Sequence, residues 1–222
     1  MRVVAGHYRP NEKPLLAHLV GVASILASCG AGSTIVAAGL LHGVYQQGEF
    51  GDASRGASEL KRREVRRAVG AACEELVARY ASCQWTVATI ENLLSRSANL
   101  PAIDSAIALM KLADTLEDHH ELGFEYSPEN SWPDAPGARH QWLAAMIQLA
   151  AALGHRHLAA ELAQASSADG RQVPEFLQTD HRRSFAVAPM SHSMRTRVRL
   201  GRLYRLMRDC VLQASPRGKK AA

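Results

Sequence analysis

Apolar residues recur at helical spacing through almost the whole 222-residue chain, and no stretch alternates apolar and polar side chains as a half-buried strand does. That pattern restricts the chain to an all-α fold. Pro14 to about Ser28 is apolar almost all round (Leu15, Leu16, Leu19, Val20, Val22, Ile25, Leu26) and stops at Gly30-Ala31-Gly32, where Ser33 or Thr34 caps a second helix predicted to run to Gln47. Ser58 to about Tyr80 reads as an amphipathic surface helix, 84–97 as a weaker one, and Pro101 opens a helix over 102–122 that Gly123 closes. A loop with three prolines follows (127–137), helices are expected over 138–152 and 155–166, and 168–190 reads as irregular. The expected organisation is a helical core over 1–125, a C-terminal helical extension packed on it over 126–213, and a disordered tail over 214–222.

No apolar run approaches the roughly 18 residues needed to cross a bilayer, and the N-terminus lacks a signal-peptide apolar region, so a cytoplasmic protein without membrane contact is expected. Cys29, Cys73, Cys83 and Cys210 show no Cys-x-x-Cys spacing and read as reduced thiols. The net charge of +5 is unevenly placed: residues 166–222 hold 12 Lys and Arg against four acids. Half of that basicity lies in Met194 to Arg208, where arginines alternate with Val198, Leu203, Leu206 and Met207. With a single aromatic, Tyr204, and no interleaved series for base stacking, this reads as a solvated helix face rather than a nucleic-acid surface.

Three polar residues occupy positions that a core would fill with apolar ones. At about 100° per residue, Asp114 falls in the centre of the stripe formed by Ile103, Ile107 and Met110, with Leu109, Leu112 and Leu116 opposite. His42 shares a face with Ile35, Ala38 and Gly39, and His18 shares one with Val22 and Ile25. Taken singly, a buried histidine is ordinarily a hydrogen-bonded core residue and a buried aspartate an ion-pair partner. Taken together they point to a site, because a divalent cation supplies the charge that an isolated carboxylate lacks.

The segments His18-Leu-Val-Gly-Val-Ala23, Ala37-Ala-Gly-Leu-Leu-His-Gly43 and Met110-Lys-Leu-Ala-Asp-Thr-Leu116 resemble, in order and spacing, the HD-domain superfamily, most closely its Rel/SpoT-type alarmone hydrolases. The resemblance covers residues 8–123 and implies an HD-like helical bundle with additional C-terminal helices. It implies His18, His42 and Asp114 as ligands of a divalent metal (Mn, Fe, Zn or Mg), and Arg9 as a residue near substrate phosphates. Asp118, one turn after Asp114, falls where that family places a substrate-contacting Asn, and Tyr45 is a further residue expected to line the cavity.

The chain also departs from that pattern. Gly43 stands where the family's doublet has Asp, removing one ligand and one charge, so metal affinity should be reduced and a two-metal centre is disfavoured. Gln46 and Gln47 stand where the alarmone hydrolases carry a Glu-Asp pair, and neither accepts a proton at neutral pH. Glu49 and Asp52, in the following loop, are the candidate substitutes as base or fourth ligand. Two functions remain open: a metal-dependent phosphohydrolase acting on a nucleotide or other phosphorylated small molecule, and a catalytically degenerate HD fold that binds a nucleotide or partner without turnover. A homodimer is an open assembly.

Overall fold

The computed structural model describes residues 7–9, 13–48, 50, 55–120, 138–167 and 185–186. These form an all-α bundle built from α1 (Leu15–Ser28), α2 (Ser33–Gly39), α3 (Val44–Gln47), α4 (Glu59–Val69), α5 (Ala71–Ser82), α6 (Val87–Ser95), α7 (Ala102–His120), α8 (Ala138–Ala152) and α9 (Arg156–Ser167). α7 is the central element, buried on nearly every face (Ala106 to Met110, Leu112 to Glu117, His119). α1, α5 and α9 pack around it, α2 bridges α1 and α5, and α8 lies against α6 and α9. One apolar cluster runs from Leu15, Leu19 and Val22 through Met110 and Leu116 to Met146, Leu149 and Leu162.

The structure departs from the sequence expectation at three places. The second helix does not run unbroken to Gln47: amides 41, 42 and 44 reach back three residues instead of four, to the carbonyls of Ala38, Gly39 and Leu41. This tightened turn separates α2 from α3 and carries His42. The expected 58–80 helix is two helices, because Gly70 adopts φ +85°, a left-handed conformation that ends α4 and starts α5 at a new angle. Finally, a two-residue strand β1 (His7–Tyr8) pairs antiparallel with β2 (Phe185–Ala186), His7 opposite Ala186 and Tyr8 opposite Phe185. Two residues are too short for any alternation to be read. The expected loop over 127–137, the arginine-rich segment 194–208, the tail over 214–222, Glu49 and Asp52 all lie outside the described residues.

Cys29, Cys73 and Cys83 are free thiols. No described helix is long and apolar enough to cross a membrane.

Candidate metal centre

α1, the α2–α3 turn and α7 each deliver one donor to a single buried point. His18 Nε2 lies 3.1 Å from Asp114 Oδ1 and 3.3 Å from His42 Nε2, and His42 Nε2 lies 3.3 Å from the same carboxylate oxygen. All three residues are buried. Donors bound about 2.1 Å from one ion at tetrahedral or octahedral angles stand about 3.0–3.4 Å apart, so this triangle fits a divalent cation. The donor set, two imidazoles and one carboxylate, is compatible with Zn, Fe or Mn.

Each donor is aimed by a neighbour. His42 Nδ1 donates to the Gly39 carbonyl at 2.7 Å, which leaves Nε2 as the lone-pair nitrogen facing the site. The tightened turn makes that bond: Gly39's carbonyl receives the amide of His42 at a long 3.4 Å and has capacity for the ring. Asp114 presents Oδ1 to the imidazoles while its Oδ2 accepts from the Tyr80 hydroxyl and from Lys111 Nζ, each at 2.7 Å. Burial alone would push this carboxyl up, but Lys111 and the two imidazoles outweigh it and hold it well below the usual carboxylate range. Tyr80 in turn stands edge-on to His42, with ring centroids 5.2 Å apart. Such partners of ligands fix orientation and raise affinity.

Behind His18 is a second polar layer. Its Nδ1 contacts Glu117 Oε2, which also pairs with Lys13 through its other oxygen, and Arg9 forks Asp118 with Nη2 3.1 Å from Oδ2. Arg9 Nη1 is also 3.0 Å from His18 Nδ1. Burial opposes protonation of His18, yet its bonds to Asp114 and Glu117 prevail and raise its pKa above the ordinary histidine value. Burial likewise works against Glu117 ionisation, but His18 and Lys13 hold its carboxyl down.

His18, His42, Asp114, Arg9 and Asp118 are therefore brought together, with Arg9 and Asp118 paired to each other. Tyr45 is not directed there: its buried hydroxyl donates to Glu74 Oε1 at 2.8 Å and its ring stacks on Phe50. Glu74, fully buried, also accepts from Arg62 and Arg66 and ties α3 and α4 to α5, so Tyr45 belongs to a structural network. His119, near the C-terminal end of α7, is also buried. Gly43 has an ordinary helical φ of −84°, and a Cβ there would meet Leu15, Leu19 and Gln47 Oε1 at 3.7–3.8 Å, so neither conformation nor space demands glycine. The functional neighbours that sequence reasoning missed are Tyr80, Lys111, Lys13 and Glu117.

Residues 1–85 match the family described as "Domain of unknown function (DUF6817)". That stretch contains Arg9, His18, His42, Gly43 and Tyr80 and ends before Asp114. No curated protein matches the chain. A solved metazoan structure, described as an ortholog of SpoT that hydrolyzes ppGpp and plays a role in starvation responses, is similar over 75% of this chain and 87% of its own, at 21% identity and a TM-score of 0.48.

Proposed function

We propose that this chain is an HD-type, metal-dependent phosphohydrolase-like protein acting on a nucleotide or another phosphorylated small molecule. The observation that carries this reading is the donor triangle: two Nε2 nitrogens and one carboxylate oxygen converging within 3.3 Å. His18, His42 and Asp114 would hold one divalent ion, which when bound polarises a phosphoryl oxygen and lowers the pKa of water. Three protein donors leave positions open for water and substrate oxygens. Asp114 supplies the negative charge, with Tyr80 and Lys111 fixing which oxygen faces inward. Arg9, beside His18 and paired with Asp118, would hold a phosphate oxygen. Glu49 or Asp52 is assigned as base.

A second reading, binding without turnover, rests on a specific observation. Gly43, Gln46 and Gln47 offer no carboxylate, and among the described residues the acids beside His18, Glu117 and Asp118, are committed to Lys13 and Arg9. Metal analysis of the native protein and His42→Ala, prepared identically, separates the readings when followed by a phosphoester panel. About one equivalent of metal lost in His42→Ala, with turnover on the panel that Glu49→Gln or Asp52→Asn reduces, supports the hydrolase. Metal with background activity supports the binder; no metal after reconstitution with Mn2+, Fe2+ and Zn2+ overturns the hydrolase and leaves His18, His42 and Asp114 as a buried polar network in a binding module.

A further inference from the structure

We infer that Glu117 is a positioning residue that keeps the proton of His18 on Nδ1, that Arg9 competes for that same nitrogen, and that Gly21 is the notch through which Glu117 reaches it. For its consequence on metal binding, this rests on the donor triangle proposed above.

A neutral imidazole has one N–H and one lone pair, and the structure surrounds His18 Nδ1 with partners that ask for opposite ones. Glu117 Oε2 only accepts, so a bond to it requires the proton on Nδ1 and leaves Nε2 as a lone pair toward His42 and Asp114. Arg9 Nη1, 3.0 Å away, only donates, so a bond from it requires a bare Nδ1 and puts the proton on Nε2, 3.1 Å from Asp114 Oδ1. The second arrangement gives Asp114 Oδ1 a donor but leaves Glu117 Oε2 facing a lone pair, and it destroys the metal-binding lone pair on Nε2. The structure favours the first: Glu117 is the nearer of the two, and Arg9 has its own carboxylate fork in Asp118.

Reaching His18 from α7 brings the Glu117 side chain across α1 at Gly21, three residues after His18. A Cβ at position 21 would stand 2.8 Å from both Cγ and Oε1 of Glu117. No positive φ accounts for glycine there, and in mid-helix glycine is a poor helix former, so the space for Glu117 is the physical reason for it. Lys13 holds the other carboxylate oxygen and keeps the acid ionised and turned toward the ring.

The test is 15N NMR of the His18 ring in the metal-free full chain at alkaline pH, where the imidazole is neutral and the two nitrogens report which one carries the proton. The native protein is expected to carry it on Nδ1, and so is Arg9→Ala. Glu117→Ala is expected to move it to Nε2. Gly21→Ala, which raises helix propensity and removes no polar group, is expected to move it in the same direction by displacing Glu117. A proton on Nε2 in the native protein, or one that stays on Nδ1 in both Glu117→Ala and Gly21→Ala, overturns the assignment.

Co2+ titration of the same proteins then reads the consequence: Glu117→Ala should bind about 10–100-fold more weakly. If the proton moves as expected but the native chain takes no Co2+, the metal reading falls and the Glu117 assignment stands. If the native chain binds Co2+ and the proton does not move, the reverse holds.

Discussion

Tyr80→Phe removes one oxygen from the wall of the candidate site and little else. The ring is almost fully buried, edge-on to His42 and 5.6 Å from the Trp85 ring, and phenylalanine preserves both contacts. What disappears is the hydroxyl that donates to Asp114 Oδ2 at 2.7 Å. A hydrogen bond to a buried charged group contributes about 1.5–3 kcal/mol. Lys111 still reaches the same oxygen, also at 2.7 Å, so the lower end of that range applies, about 1.5 kcal/mol. With a urea slope of roughly 1–3 kcal/mol per molar, the unfolding midpoint of the metal-free protein should fall by about 0.5–1.5 M.

The same hydroxyl orients Asp114 toward the ion, so Co2+ affinity should fall as well, by about 10–100-fold for a lost ligand partner. The two readouts separate two roles. A lower midpoint with unchanged affinity would make Tyr80 a stabilising core residue that does not aim the ligand. Unchanged midpoint and unchanged affinity together would refute the argument, since they would mean that the hydroxyl does not hold Asp114 at all.

Gly43→Asp should destabilise the metal-free protein by roughly 2 kcal/mol, because its Cβ sits against Leu15 and Leu19 and its carboxylate enters beside the acceptor Gln47 Oε1. Mn2+ should then raise its thermal midpoint more than it raises that of the native chain; an equal response in scanning fluorimetry would show that the added acid does not reach the ion. The Glu74 network predicts an acid-labile stability. Burial works against ionisation of Glu74, but Arg62, Tyr45 and Arg66 overcome it and lower its pKa from the ordinary 4.5. Its contribution is therefore complete above that value and lost as pH falls through the lower folded-state value. Chemical denaturation of Glu74→Gln across pH 3–7 should show a weaker protein at neutral pH and a flatter acid limb than the native one; parallel acid limbs would count against this assignment.

The three candidate donors, His18, His42 and Asp114, were legible because each is a polar residue on an apolar stripe, a pattern with few structural explanations once three segments share it. Their supporting partners were not. Tyr80 lies in an apolar stripe where an aromatic reads as core, and only the crossing of α5 and α7 brings its hydroxyl to Asp114. Glu117 sits in a charged run at the end of α7 that reads as solvated, and its burial depends on the missing side chain at Gly21. The break at Gly70 was hidden because Val65, Val69, Leu76 and Val77 keep helical spacing across it. The turn at 40–43 was hidden likewise, since a shift from four-residue to three-residue hydrogen bonds leaves the apolar pattern almost intact.

The charge of the site constrains what it binds. Among the described residues each acid has a cation beside it: Lys111 for Asp114, Lys13 for Glu117 and Arg9 for Asp118. With neutral imidazoles the group is balanced before any ion enters, and a divalent cation adds two positive charges in a buried setting where charge is costly. An aspartate at position 43 would cancel one of them; Gly43 leaves both to the ligand. Metal and an anionic ligand should therefore bind cooperatively, and by linkage each must strengthen the other by the same factor. Mn2+ titrations with and without saturating inorganic phosphate measure that factor, and a coupling of about 1–3 kcal/mol corresponds to roughly 5–150-fold. Gly43→Asp should reduce it. Equal Mn2+ affinity with and without phosphate would show that the ion does not need an external anion, and would remove the argument that a phosphorylated molecule completes this site.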